Sequence, residues 1–402
     1  MAGPLKGYRV LDMSRILAGP WAGQLLADMG AEVLKIERPE IGDDTRHWGP
    51  PYAKDANGEE SQDAAYFYCA NRGKKSVCVD ITTAEGQKII CRLARDSDVL
   101  IENYKVGGLA KYGLDYDSLK IVNPKLVYCS ITGFGQTGPY AHRPGYDFLI
   151  QGMGGLMSIT GEPNDPNGNN GGPIKVGVAV TDIFTGLYAA NAIQGALLDR
   201  YSSGLGQYID LALLDVQAAV LANQATNYLV GDMVPQRLGN AHPNIVPYQA
   251  FPTADSHIII TIGNDQQFDR FCQVLGQPEL ANNPSYATNS ARVTNRAVLC
   301  NKISACLKSE TSTYWLRCLE ENNIPCGPIN SIDQVFENPQ IVARDILIEM
   351  TDSQGTKVKL PGNPIKYSRT KIDYDIAPQK LNASSQEVLS GYLKNTDSKY
   401  SQ

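Results

Sequence analysis

The sequence predicts an α/β fold: a large, Rossmann-like, doubly wound domain with a mostly parallel sheet, and a smaller α+β domain. Three observations carry this expectation. Strand and helix signals alternate through the first 133 residues, the spacing of βαβ units. A long Ala-rich helical stretch runs from Asp182 to Tyr201. Near residue 230 the pattern gives way to irregular, proline-containing chain.

Tyr8 to Met13 (YRVLDM) reads as the first strand, and Gly19 to Met29 as a helix that Gly30 closes. Ala31 to Glu37 (AEVLKIE) and Ser76 to Ile81 (SVCVDI) are the next strands. Thr82-Thr83-Ala84-Glu85 is a capping-box signature for the helix that follows. Asp98 to Asn103 and Lys125 to Gly133 are further strands. Such units join right-handedly and gather ligands at the carboxyl ends of their strands. The first turn, SRILAGPWAG, lacks GxGxxG, so no dinucleotide site is indicated there. Gly161 to Pro173 (GEPNDPNGNNGGP) has loop composition, suiting a plain connector or a mobile cover for a site. Asp210 to Leu229 reads as a second long helix, apolar all round and so buried. These elements place a large domain at 1–224 and a small domain at 225–328, the latter containing the strand His257 to Ile262. Residues 329–402 are expected to return to the large domain, with a frayed end from Asn395 to Gln402.

Composition narrows the function classes. The 402 residues are 43% hydrophobic and 19% charged, ordinary for a soluble globular protein. A net charge of −6 argues against nucleic acid as a partner. No apolar run reaches the ~18 residues of a membrane span. The opening MAGPLKGYRVLD has neither a signal-peptide core nor transit-peptide character, and no Gly at position 2. The expected location is therefore the cytoplasm, or the mitochondrial matrix for a processed eukaryotic chain. Nine cysteines without a CxxC pair, among them Cys78, Cys91 and Cys129, read as reduced thiols. His47, His142, His242 and His257 lack metal-ligand spacing, so no metal is expected.

Asp182 lies where a strand-like run, VAVTD, passes into the long helix. An Asp there is more often an N-cap than a catalyst. The position also suits a nucleophile, because a helix N-terminus favours the carboxylate and a carboxylate can attack a thioester. Arg38, after the second strand, could hold a phosphate or be a solvated charge, as could Lys74, Lys75 and Lys111. Gly263 to Gln267 (GNDQQ) is a polar loop or an ordinary turn, and Tyr146 and Asp147 are turn or site residues.

Taken together, several segments resemble one family. They are VLDMSRILAGPWAGQLLADMGAEVLKIERP, NRGKKSVCVD, IENYKVGGLAKYGLDYDSL, CSITGFGQTGP, PGYDFLIQGMGGLMSITG and GVAVTDIFTGLYAANAIQGALL. In this order they look like the class III CoA-transferases, the formyl-CoA transferase or CaiB/BaiF type. DDTRHWGPP, AHPNIVPYQAF, GNDQQFDRF, ATNSARVTNR and CGPINSIDQVFENPQ look closer to its succinate–hydroxymethylglutarate branch. The resemblance implies an enzyme that binds acyl-CoA and carboxylate substrates, with no permanent cofactor, in an interlocked homodimer. It implies that Asp182 is the nucleophile. By position it places CoA contacts at Leu17, Ala18, Arg38, Val79, Asp80, Ile81, Thr82, Asn103, Tyr104, Lys105, Lys111, Pro144, Gly145, Tyr146 and Asp147. Gly263, Asn264, Asp265, Gln266 and Gln267 would form the covering loop and oxyanion donors. Leu17 stands where formyl-CoA transferase has Gln, the covering loop is not all glycine, and Pro144 replaces a family Lys. Those departures argue against formyl-CoA and oxalate.

The implied reaction moves CoA from a donor such as succinyl-CoA to a dicarboxylate such as glutarate or hydroxymethylglutarate. It passes through an aspartyl anhydride and an aspartyl-CoA thioester. A second carboxylate needs a cation, for which Arg15, Arg46 and Arg72 are the candidates. The rival on the same fold is α-methylacyl-CoA racemase, which has His where this chain has Tyr146. A non-catalytic CoA-binding protein is the third reading.

Overall fold

A computed structural model of the chain describes residues 3–55, 57–164, 171–352 and 355–393. The middle of the Gly161–Pro173 loop and the tail expected to fray lie outside these residues. Two compact units divide the chain. The first holds Met1–Leu156, Lys175–Asp232 and Gln340–Gln402; the second holds Met157–Ile174 and Met233–Pro339.

The first unit is built on six parallel strands. In chain order they are β1 (Arg9–Asp12), β2 (Glu32–Glu37), β3 (Lys74–Cys78), β4 (Val99–Glu102), β5 (Val127–Thr132) and β6 (Tyr208–Ala212). Their order across the sheet is β3-β2-β1-β4-β5-β6. The order reverses at β1, and β1 pairs in register with both neighbours, Leu11 opposite Leu34 on one side and Leu100 on the other. Both faces are covered, so β5 is buried along its whole length, as expected of a parallel sheet. The free edge at β3 is closed by the C-terminal segment. Ser76 N–H donates to Gln379, Ser384 N–H to Ser76, and Cys78 N–H to Ser385, which removes an exposed edge.

Helices α1 (Ala18–Asp28), α2 (Ala84–Arg95), α3 (Asp147–Met153) and α4 (Val180–Ser203) flank this sheet. Thr83, rather than Thr82, caps α2, its hydroxyl accepting from Gly86 N–H. On α4, Asp182, Thr185, Gly186, Ala189, Ala190, Ile193, Ala196 and Leu197 make a buried stripe at i, i+3/i+4 spacing. The small residues bring α4 close to α1: a Cβ on Gly186 would lie 2.8 Å from the Ala18 carbonyl oxygen and 2.9 Å from Trp21 Cβ.

The expected single helix over Asp210–Leu229 is corrected. Tyr208–Ala212 is the sixth strand, and it runs into α5 (Leu213–Ala219) and α6 (Ala222–Leu229). Nor is the segment uniformly buried, since α6 has no buried residue.

The second unit contains an antiparallel sheet of β7 (Tyr248–Pro252), β8 (His257–Thr261) and β9 (Cys326–Pro328), with β8 in the centre. Ile258 and Ile260 point into its core with Phe251, Phe268, Phe271, Leu299 and Trp315. The described ends of the Gly161–Pro173 loop are tied down, Ile174 N–H to Thr160 and Gly239 N–H to Gly161. Gly263–Gln267 is mostly not a loop. Asn264 caps α7 (Asp265–Val274), so Asp265, Gln266 and Gln267 form its first turn. A hairpin of β10 (Leu347–Thr351) and β11 (Lys357–Pro361) and helix α8 (Ser385–Leu393) belong to the first unit.

Candidate active site

A cavity of about 680 Å³ opens along the carboxyl ends of the six strands. Each strand end contributes to it: Arg15–Ala18 after β1, Arg38 after β2, Val79–Thr82 after β3, Asn103–Lys105 after β4, Thr132 and Gly133 from β5, and Leu213 after β6. Asp182 lines the same cavity from α4. Lys111, Arg143, Pro144, Gly145 and Tyr146 also line it.

The loop after β1 is fixed by its neighbours. Arg15 N–H donates to Asn103 Oδ1, and Asn103 Nδ2 donates to the Arg15 carbonyl, at 2.9 and 2.7 Å. Ile16 N–H reaches the Asp43 carboxylate. These bonds hold Ile16 at φ 74°, a left-handed conformation that a β-branched residue adopts only under constraint. Asp43 is anchored in turn by Lys35 Nζ at 2.8 Å. Burial alone would raise the Asp43 pKa, but Lys35 and the Thr45 N–H and hydroxyl hold it at about 2. A permanently charged acceptor thus sits under the loop.

Asp182 is not the cap of its helix. Ala179 holds the cap position without a side-chain bond, and Asp182 is the third residue of α4. The capping oxygen comes from α3. Asp147 Oδ1 accepts from Thr181 N–H at 2.9 Å and, more weakly, from Asp182 N–H at 3.4 Å. Gln151 Nε2 donates to the other Asp147 oxygen at 2.7 Å. Asp147, half-buried, thus holds the first turn of α4 and is not among the residues that line the cavity. Asp182 itself is only 9% exposed. Burial, together with the Asp147 charge beside it, pushes its pKa up to about 7.

The cations fall into two groups. Arg46 and Arg72 are buried structural ions. Arg46 pairs with Glu37 and Asp63 at 2.8 and 2.7 Å, and Arg72 with Asp28 at 2.6 Å. Neither lines the cavity, and freeing either would strand a buried carboxylate. Lys74 is likewise locked on Asp12, while Lys75 pairs with Glu32 and Glu387. Arg15 lines the cavity but is bonded to Asp44 at 2.8 Å. Arg38, Lys105, Lys111 and Arg143 are exposed along the cavity and pair with no carboxylate among the described residues. All the expected CoA contacts except Asp147 line this cavity.

Arg143, outside the sequence expectation, also lines the cavity and stands one position before the Pro that replaces a family Lys. Tyr66, in the four-residue helix Ala65–Tyr68, packs its ring edge-on against Trp48, with centroids 5.3 Å apart. Burial, with the charges of Cys69, Asp182, Asp147 and Asp43, raises its phenol to about 12; it is not among the residues that line the cavity.

In the second unit, Gly263 N–H donates to Gln267 Oε1 and Gln267 N–H to Asn264 Oδ1. Two of the expected oxyanion donors are therefore already engaged. Asp265 is paired with the fully buried Arg292 at 2.7 Å.

The model of CoA-transferase family III matches residues 5–384. The chain belongs to that family. It is 52% identical to a succinate–glutarate CoA-transferase of Agrobacterium fabrum, over 96% of this chain and 95% of the relative. A human succinyl-CoA:glutarate CoA-transferase is 43% identical, covering 98% and 87%. Among solved structures, a CaiB/BaiF family protein from Brucella suis superposes with a TM-score of 0.84 at 50% identity, covering 97% and 100%. This family III protein is thus an enzyme of CoA transfer that acts on CoA thioesters. No helix among its described residues is long and apolar enough to cross a membrane.

Proposed function

We propose that this enzyme moves CoA from succinyl-CoA to glutarate or a closely related dicarboxylate, with Asp182 as the covalent nucleophile. The observation that carries the mechanism is a nearly buried carboxylate lining the CoA-sized cavity at the first turn of α4. The substrate class is supported by the succinate–glutarate transferases among the relatives.

Asp182 attacks the thioester carbonyl, the C–S bond breaks, and a mixed anhydride and CoA thiolate form. The thiolate attacks the aspartyl carbonyl and expels succinate, leaving an aspartyl-CoA thioester. The acceptor carboxylate attacks that thioester, giving a second anhydride and thiolate. The thiolate then takes the acceptor acyl group and restores the Asp182 carboxylate. Each step replaces one hard exchange by an easier acyl transfer. Anhydrides hydrolyse, so water must be kept out of the site.

Asp182→Asn is expected to fold and to lose exchange of labelled succinate into succinyl-CoA by at least about 1,000-fold. Retention of most of that exchange excludes Asp182 as nucleophile. Proton exchange is disfavoured because Tyr146 stands at the racemase His position; deuterium uptake at the α-carbon of a branched acyl-CoA would revive it.

The proposal includes an interlocked homodimer. Its support is apolar surface left open on the single chain: Leu198 and Tyr201 on α4 are 69% and 79% exposed, and Leu229 and Val230 74% and 84%.

A further inference from the structure

The functional reading needs a cation for the second carboxylate of a dicarboxylic acyl group, and of the expected arginines only Arg15 lines the cavity. Arg46 and Arg72 are buried in ion pairs, and Arg15 is held by Asp44. The unpaired cations divide by place. Arg38 follows β2, and Lys105 and Lys111 follow β4. Arg143 is separate. It lies in the segment between β5 and α3, four residues before Asp147, which holds the first turn of α4. Four residues span at most about 14 Å, and Arg143 and Asp182 line the same cavity.

The side chain is also preset. Its guanidinium stacks on Tyr140 at 4.8 Å and Phe134 at 5.3 Å from the ring centroids. The two rings pack on each other edge-on at 5.7 Å. Stacking fixes the plane of the guanidinium while leaving its N–H edge for a ligand. A carboxylate matches that edge with two parallel hydrogen bonds.

We infer that Arg143 binds the distal carboxylate of the dicarboxylic acyl group and so sets the enzyme's preference for diacids. The inference rests on the proposed transfer between dicarboxylates. Succinyl-CoA and butyryl-CoA differ at that end mainly by the carboxylate, so their kcat/KM ratio reads this contact. Arg143→Gln is expected to lower the succinyl-to-butyryl ratio by about 10- to 100-fold, with Arg143→Lys intermediate. The Kd values of CoA and dephospho-CoA are expected to keep their wild-type relation, because this reading leaves the phosphates to Arg38, Lys105 and Lys111. A wild type that prefers succinyl-CoA and an Arg143→Gln variant that keeps that preference overturn the inference alone. A variant that weakens CoA binding but not dephospho-CoA binding also overturns it, since Arg143 then holds the 3′-phosphate. A wild type with no preference for diacids overturns the dicarboxylate reading and this inference together.

Discussion

Asp182, the proposed nucleophile, has surroundings that favour its protonated form. Burial and the Asp147 carboxylate raise its pKa from 3.8 to about 7. Only the ionised form attacks, so kcat/KM is expected to fall as pH drops through about 7. Asp147→Asn keeps an oxygen for the Thr181 and Asp182 N–H groups but removes the like charge. The acidic limb of the profile should then move to lower pH, by roughly half a unit to one unit. Glu102, at the end of β4, is also pushed up to about 7 by burial, so a wild-type profile alone does not assign the limb. The paired profiles do: a limb that stays in place in Asp147→Asn assigns it away from Asp182. The family resemblance pointed to Asp182, but no sequence pattern gave this tuning. Asp147 is 35 positions from Asp182, a distance that no local spacing rule spans. Arg46 and Arg72 were legible as cations, not as buried ones, because their partners Glu37, Asp63 and Asp28 meet them only in the folded core.

At the scale of elements, the site depends on how closely α4 lies on α1. Gly186 faces the Ala18 carbonyl and Trp21 at distances that leave no room for a Cβ. Gly186→Val is expected to push the helices apart and cost roughly 1–3 kcal/mol, measurable by urea unfolding. It should also lower transfer by displacing Asp182 and the Leu17–Ala18 turn together. Unchanged stability and rate would separate the site from this contact. The helix itself was legible from its Ala-rich run, though it begins at Val180 rather than Asp182. Tyr208–Ala212 was not recognised as a strand. Its apolar run continues into α5, and hydrophobic pattern alone does not distinguish a short buried strand from a helix. What decides the matter is its pairing with β5, from Tyr128 opposite Tyr208 to Thr132 opposite Ala212.

Over the whole molecule, the parallel sheet was the most legible feature, because its strand–helix alternation is local and repeated. The cavity followed from it, since strand ends in such a sheet converge on one edge. Association was not legible from patterning. The exposed Leu198, Tyr201, Leu229 and Val230 form the apolar surface that the proposed homodimer would bury. Light scattering is expected to give twice the 43.7 kDa chain mass; a monomer at micromolar concentration would remove the dimer from the account.

The central claim is that acyl groups pass through the Asp182 carboxylate. In the sequence of steps proposed, one oxygen of the acceptor acid is left on Asp182 at each turnover. Mass spectrometry of the peptide containing Asp182, after turnover with succinyl-CoA and glutarate carrying heavy oxygen in its carboxylates, tests this directly. The account predicts heavy oxygen in that carboxylate. Full turnover with an unlabelled Asp182 peptide would contradict it.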